Sequence, residues 1–154
     1  MRIRASDMQL QVHSDASYLS ESKSRSRAGG FMYLGKCASG EVSDAPVAYL
    51  SVIIATVVDS AAAAEYAALF INGQAATPLR QTLEALGYTQ LPTPITCDNS
   101  CLVGIANKSF TQKRSKTIGM RYHWIQDQIS LDNFTVSWEA GKYNLADFLP
   151  KLIQ

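Results

Sequence analysis

Cysteine is scarce in this chain: Cys37, Cys97 and Cys101 are the three found in 154 residues. An odd count has no complete pairing, and Cys97 and Cys101, four apart, have no second pair or nearby histidine to complete a zinc site. They read as reduced, buried thiols of an intracellular protein. Long apolar runs are missing as well. The longest, Val47 to Val58, is interrupted by Ser51 and Thr56, so nothing reaches the length of a membrane span. The N-terminus also lacks the charged-then-apolar pattern of a signal segment. The expectation is a soluble protein of the cytoplasm, with no membrane partner. Charge of one sign is missing too. Fourteen basic and 13 acidic residues leave a net +1, which excludes a histone-like binder but not local basic patches.

What is present fits one globular domain, taken as residues 1–154. With 47% hydrophobic and 18% charged residues, the chain is long enough to build its own core. Met8 to Asp15 alternates, with Leu10 and Val12 on one side and Gln9, Gln11 and His13 on the other, which predicts a strand ending at Ser14-Asp15. Ser17 to Arg27 reads as an exposed loop, Gly30 to Leu34 as a second strand, and Pro46 to Ile54 as a third, buried one. Asp59-Ser60 caps a helix from Ala61 that ends near Asn72-Gly73. A second helix follows Thr77-Pro78 and stops at Gly87. Ile95 to Asp98 is a short strand and Asn99 to Asn107 a short helix. Lys108 to Lys116 is a basic loop, Met120 to Leu131 a helix, Phe134 to Trp138 a strand, and Asn144 to Ile153 a final helix. A meander followed by β-α units predicts a mixed five-stranded sheet flanked by helices.

Four acids stand among apolar neighbours: Asp15 and Asp98 at strand ends, Glu65 in an alanine-rich helix, Asp147 between Ala146 and Phe148. If the first and fourth strands are neighbours, Asp15 and Asp98 meet. Gathered carboxylates repel unless cations neutralise them, and all-oxygen donors select hard ions such as Mg2+ or Mn2+. Two such ions suit phosphodiester hydrolysis. His13, two residues before Asp15, shares its face and reads as a packed histidine, while His123 reads as structural or substrate-facing. Trp124 and Trp138 read as core.

Five collinear segments carry a resemblance. His13-Ser14-Asp15-Ala16-Ser17 resembles "SDAD", and Ser60 to Leu69, around Glu65-Tyr66, resembles "SSTEAEYIAL". Thr96-Cys97-Asp98-Asn99-Ser100 resembles "YCDNQSA", Arg114 to Ile125 resembles "RTKHIDIRYHFIR", and Asn144 to Lys151 resembles "DQLADILTK". Together they are similar to the RNase H domain of copia-type retrotransposon polyproteins. The resemblance implies an α/β RNase H-like fold, with three antiparallel strands first in a five-stranded mixed sheet. It implies cleavage of the RNA strand of an RNA/DNA hybrid, a reverse transcriptase domain as partner, and two Mg2+ or Mn2+ ions. It further implies Asp15 as the ligand shared by both ions, Glu65 and Asp98 on one, and Asp147 on the other. A histidine near the last acid of many RNase H enzymes corresponds here to Ala140-Gly141-Lys142.

The chain departs from that pattern where a basic pair is replaced by Val52 and Ile53, and where Ala63 and Gly119 replace acids. For the substrate, Asn99 and Ser100 are candidates either to cap a helix or to contact the ribose 2'-hydroxyl. Lys113, Arg114 and Lys116 are candidates for phosphate contact. Two other readings stand beside the ribonuclease: a DNA-directed nuclease of the same fold, and a non-catalytic module that binds through the apolar Val52-Ile53-Ile54 stretch.

Overall fold

The computed structural model describes residues 8–35, 46–107 and 116–151. Among the described residues, five strands and three α-helices follow one another: β1 (Leu10–Glu21), β2 (Arg25–Leu34), β3 (Ala48–Ile53), α1 (Ala61–Ala85), β4 (Thr93–Cys97), α2 (Ser100–Ala106), α3 (Lys116–Ser130) and β5 (Phe134–Trp138). The strands form one sheet in the order β3-β2-β1-β4-β5. The first three are antiparallel, and β4 runs parallel to both β1 and β5. The expected mixed sheet and the β1–β4 adjacency are therefore present.

Alternation divides the sheet into two faces. Leu10, Val12, Met32, Ile95 and Val136 point to the side of α1 and α3, where they meet Tyr66, Leu69, Leu83 and Ile125 in the main core. A smaller cluster packs the alanines of early α1, Ala63, Ala64, Ala67 and Ala68, onto Ala28, Ile54 and Val58. These small side chains let the helix lie close to the sheet at the end that carries Glu65. The other face, with His13, Asp15 and Gly29, receives the segment 144–151.

Four expectations need correction. Ser17–Arg27 is not a loop: β1 continues to Glu21, a 3-10 turn at Ser22–Ser24 reverses the chain, and β2 starts at Arg25. Its polar residues are paired inside the hairpin, Arg27 Nε to Glu21 Oε1 at 2.6 Å and the Leu19 N–H to Ser26 Oγ at 3.1 Å.

The two expected helices are one, with Pro78 inside it. The Ser60 side chain caps its start by accepting from the Ala63 N–H. Asn72-Gly73, read as a stop, is a close contact with the rest of the molecule. Asn72 Nδ2 donates to Ser14 Oγ and to the Gly29 carbonyl, both at 2.9 Å, and a side chain at Gly73 would collide with the Trp124 ring.

The last helix is absent from the described residues. Residues 144–151 form turns closed by i to i+3 bonds, including Asp147 N–H to Asn144 O and Leu149 N–H to Ala146 O. Pro150 has no N–H to continue a helix. Further bonds tie the segment to the sheet: Ser51 Oγ donates to Leu149 O at 2.9 Å, and Asn144 Nδ2 donates to Ser14 O at 2.9 Å. The apolar run at 47–58 is not a buried strand either. β3 is an edge strand, and Tyr49 is 69% exposed with Val52 and Ile53 also open to solvent.

Candidate active site

The β1–β4 ladder pairs Val12 with Ile95 and His13 with Thr96, and the two strands then carry Asp15 and Asp98 just past their last pairing. Glu65 enters from the first turns of α1. One carboxylate oxygen from each of Asp15, Glu65 and Asp98 lies within 4.8 Å of the others. Asp15 is buried, while Glu65 and Asp98 are half-buried. Burial raises the Asp15 carboxyl to about 7, helped by the charges of Asp98 and Asp147 and opposed by the Ala16 backbone and Lys151. Burial likewise lifts Glu65 to about 8, with Asp15 and Asp98 adding to the rise. One Glu65 oxygen, Oε2, is buried and has no hydrogen-bond partner among the described residues. A cluster of carboxylates that resists ionisation, with an orphaned oxygen, has the donor chemistry of a hard divalent cation site.

Asp147 stands at the edge of this group. Its Oδ1 is paired with Lys151 Nζ at 2.7 Å, and its charge is felt at Asp15. Asp147 is therefore close enough to couple to the triad but lies outside its tightest circle. What brings it there is the packing of residues 144–151 on the sheet. Gly29 sits opposite Asp15 in the β1–β2 register. A Cβ on Gly29 would lie 2.6 Å from Pro150 Cδ and 3.2 Å from Ala146 O, so only glycine lets the segment approach. His13 is the packed histidine expected: Nδ1 accepts from the Leu145 N–H at 3.1 Å, and burial lowers its pKa. No motif gave Gly29 or Ser51 a role at the site, because their roles depend on a segment 98 or more residues away.

The remaining candidates divide. Asn99 is the N-cap of α2, its Oδ1 accepting from the Leu102 N–H at 3.2 Å, and Ser100 is exposed in the first turn. Lys113 and Arg114 lie outside the described residues, as does the side chain of Lys116, whose backbone opens α3. Cys97 is buried, its thiol pushed up to about 12 by burial, but Cys101 is exposed, and Cys37 lies outside the described residues. His123 is exposed on α3, its ring edge-on to Tyr122. Trp124 packs against Phe70 and Phe134 as core. Trp138 was expected there too and is instead 54% exposed, its Nε1 donating to the Asp98 carbonyl at 2.9 Å.

Sheet order, strand directions and carboxylate placement can now be set beside known structures. LC11-RNase H1, solved in complex with an RNA/DNA hybrid, superposes with a TM-score of 0.66 over 91% of this chain and 92% of that one, at 13% identity. An N-terminal RNase H domain from Mycobacterium tuberculosis gives 0.65 over 92% and 90%, at 15% identity. This is the RNase H fold. The same fold in prototype foamy virus protease-reverse transcriptase matches with a TM-score of 0.63, covering 98% of this chain and 21% of that one, at 17% identity. In sequence, the chain is 26% identical over 148 residues to the retrovirus-related Pol polyprotein from transposon TNT 1-94 of Nicotiana tabacum. The match covers 96% of this chain and 11% of that polyprotein. No family model matches. Among the described residues, no helix of this RNase H fold is long and apolar enough to cross a membrane.

Proposed function

We propose that this domain is a ribonuclease H, which hydrolyses the RNA strand of an RNA/DNA hybrid with two Mg2+ or Mn2+ ions. The observation that carries the reading is the convergence within 4.8 Å of Asp15, midway along β1, Asp98, just past the end of the neighbouring parallel β4, and Glu65 of α1. Asp15 would be shared by both ions, with Glu65 and Asp98 on one and Asp147 on the other. When bound, such ions supply stabilisation for the charge that builds on phosphate oxygens during in-line hydrolysis. The chain's own part is to hold four carboxylates in place and to release the protons that Asp15 and Glu65 retain near neutrality without a cation. Ser100, exposed two residues after Asp98, is assigned to the ribose 2'-hydroxyl, and Asn99 to holding that turn. Lys113, Arg114 and Lys116 are assigned to phosphates, which makes hybrid affinity fall with salt. By analogy with the polyprotein relative, a reverse transcriptase domain is the expected partner.

The test is incubation with an end-labelled RNA/DNA hybrid and Mg2+ or Mn2+, beside Asp98→Asn. The reading expects RNA fragments from the wild type and at least a hundredfold slower cutting by the variant, as for lost charge stabilisation at a reacting phosphate. Intact RNA in the wild type overturns it. The exposed apolar edge at Tyr49, Val52 and Ile53 favours a second reading, a binding module of the same fold. That reading expects hybrid-independent association and no metal-dependent cutting.

A further inference from the structure

Trp138 is the last residue of β5, paired in register with Cys97, the residue before Asp98. Its indole N–H is already used, donating to the Asp98 carbonyl at 2.9 Å, yet 54% of the residue stays exposed. A tryptophan whose polar handle is satisfied and whose ring remains in water presents apolar surface that folding alone does not account for. The ring is held by a bond to the main chain of one of the three clustered carboxylates. The loop that follows also hugs Asp98. A Cβ on Gly141 would stand 3.0 Å from Asp98 Oδ2, so the chain passes directly beside the carboxylate. That loop then exposes Tyr143, with Lys142 Nζ 4.7 Å from the centre of its ring. An aromatic face and a cation therefore come from the strand end and loop that border Asp98, while Ser100 is exposed on the helix that follows it.

From this geometry we infer that Trp138 is a substrate-contact residue: its ring packs on a ribose of the cut RNA strand next to the scissile phosphate. Its N–H, in the same stroke, holds Asp98 in position. The inference rests on the ribonuclease reading above. In a duplex the bases are stacked inside, so an exposed ring meets the sugar edge in the wide, shallow minor groove rather than a base face. The two halves of the side chain do separable work. The ring contributes to holding substrate, and the N–H bond contributes to the rate through Asp98.

Two substitutions separate them. Trp138→Phe keeps a ring and loses the N–H, whereas Trp138→Ala loses both. Binding of a labelled RNA/DNA hybrid is measured in an Asp15→Asn background, and cutting with Mg2+ in the otherwise native chain. Trp138→Ala is expected to bind the hybrid about five- to tenfold more weakly, the low end of a nucleotide–aromatic contact. Trp138→Phe is expected to bind within about twofold of wild type, with its loss confined to kcat. Tryptophan emission gives a readout that a merely structural role would not move. With two tryptophans in the chain, hybrid should quench the emission of the Asp15→Asn protein and leave that of its Trp138→Phe derivative unchanged. If the wild type cuts hybrid but Trp138→Ala binds it undiminished, the contact is refuted and the ribonuclease reading stands. If the wild type neither binds nor cuts, both fall together.

Discussion

Glu65 serves two opposed demands. Its carboxylate must be present to complete a cation site, yet without a cation it is half-buried beside Asp15 and Asp98 and raised to about 8. Glu65→Gln keeps the shape and removes the charge. The variant is expected to be more stable than wild type in metal-free buffer at pH 8, by about 1–3 kcal/mol, because the unfolded chain no longer gains by ionising a carboxyl whose ionisation the folded site resists. It should nonetheless lose its stabilisation by Mg2+. Thermal melts with EDTA and with Mg2+ check both halves, and a metal-free destabilisation would show that Glu65 is held by partners rather than by repulsion. Gly29 makes the complementary point, since its contribution is empty space. Gly29→Ala sets a methyl against Pro150 and the Ala146 carbonyl, costs about 1–3 kcal/mol as overpacking, and pushes Asp147 away from Asp15. Hybrid cutting should fall at least tenfold while the folded circular-dichroism spectrum persists, and unchanged cutting would remove Asp147 from the machinery.

At the scale of elements, α1 is tied to β1 and β2 by a buried polar side chain as well as by its apolar face. Asn72 is fully buried and bonds both Ser14 Oγ and Gly29 O. Asn72→Ala leaves those groups unpaired and opens a small cavity, at about 2–3 kcal/mol. The melting temperature should fall by roughly 5–10 °C for a chain of this size, and a change under 2 °C would mean that the tie is dispensable. The edge strand β3 makes a different kind of prediction. The Ala48–Ile53 stretch holds no charge and leaves Tyr49, Val52 and Ile53 open, the features of a strand edge that recruits another chain. Val52→Lys with Ile53→Lys should abolish concentration-dependent association in light scattering, and a wild type that stays monomeric at high concentration refutes the idea. These elements also mark what the sequence makes legible. Alternation fixed the faces of β1, and Ser60 the start of α1, because both signals are local. Asn72-Gly73 misled because its usual meaning as a helix stop yields to long-range contacts, with Asn72 on the sheet and Gly73 under Trp124, while α1 runs through an exposed Pro78. The acids were legible through motifs, but the path that carries Asp147 to them was not, since it runs through turns bonded to Ser14 and Ser51 instead of a helix.

For the whole molecule, the carboxylate cluster couples folding, protons and cations. Asp15 rises from 3.8 to about 7 and Glu65 from 4.5 to about 8 on folding. Between those limits the unfolded chain has lost both protons while the folded chain still holds them. The folded state therefore binds more protons, and stability falls as pH rises from the unfolded to the folded values. His13 has the opposite sign, because burial pushes it below 6.5, but its contribution is complete below the upper part of that range. Above about pH 7 the two acids dominate the slope, because His13 is then largely neutral in both states and the Cys97 thiol loses its proton in the unfolded chain only near 9. In EDTA the melting temperature should drop from about pH 7 and level off above about pH 8. With Mg2+ or Mn2+ at about a hundred times its Kd, binding adds about 2–3 kcal/mol, or roughly 4–10 °C. The gain should grow toward high pH, because a cation takes the site in competition with the two protons. A melting temperature that stays flat in EDTA, or a cation gain that shrinks as pH rises, would mean that Asp15 and Glu65 do not share one site, and would remove the basis for metal-dependent cutting.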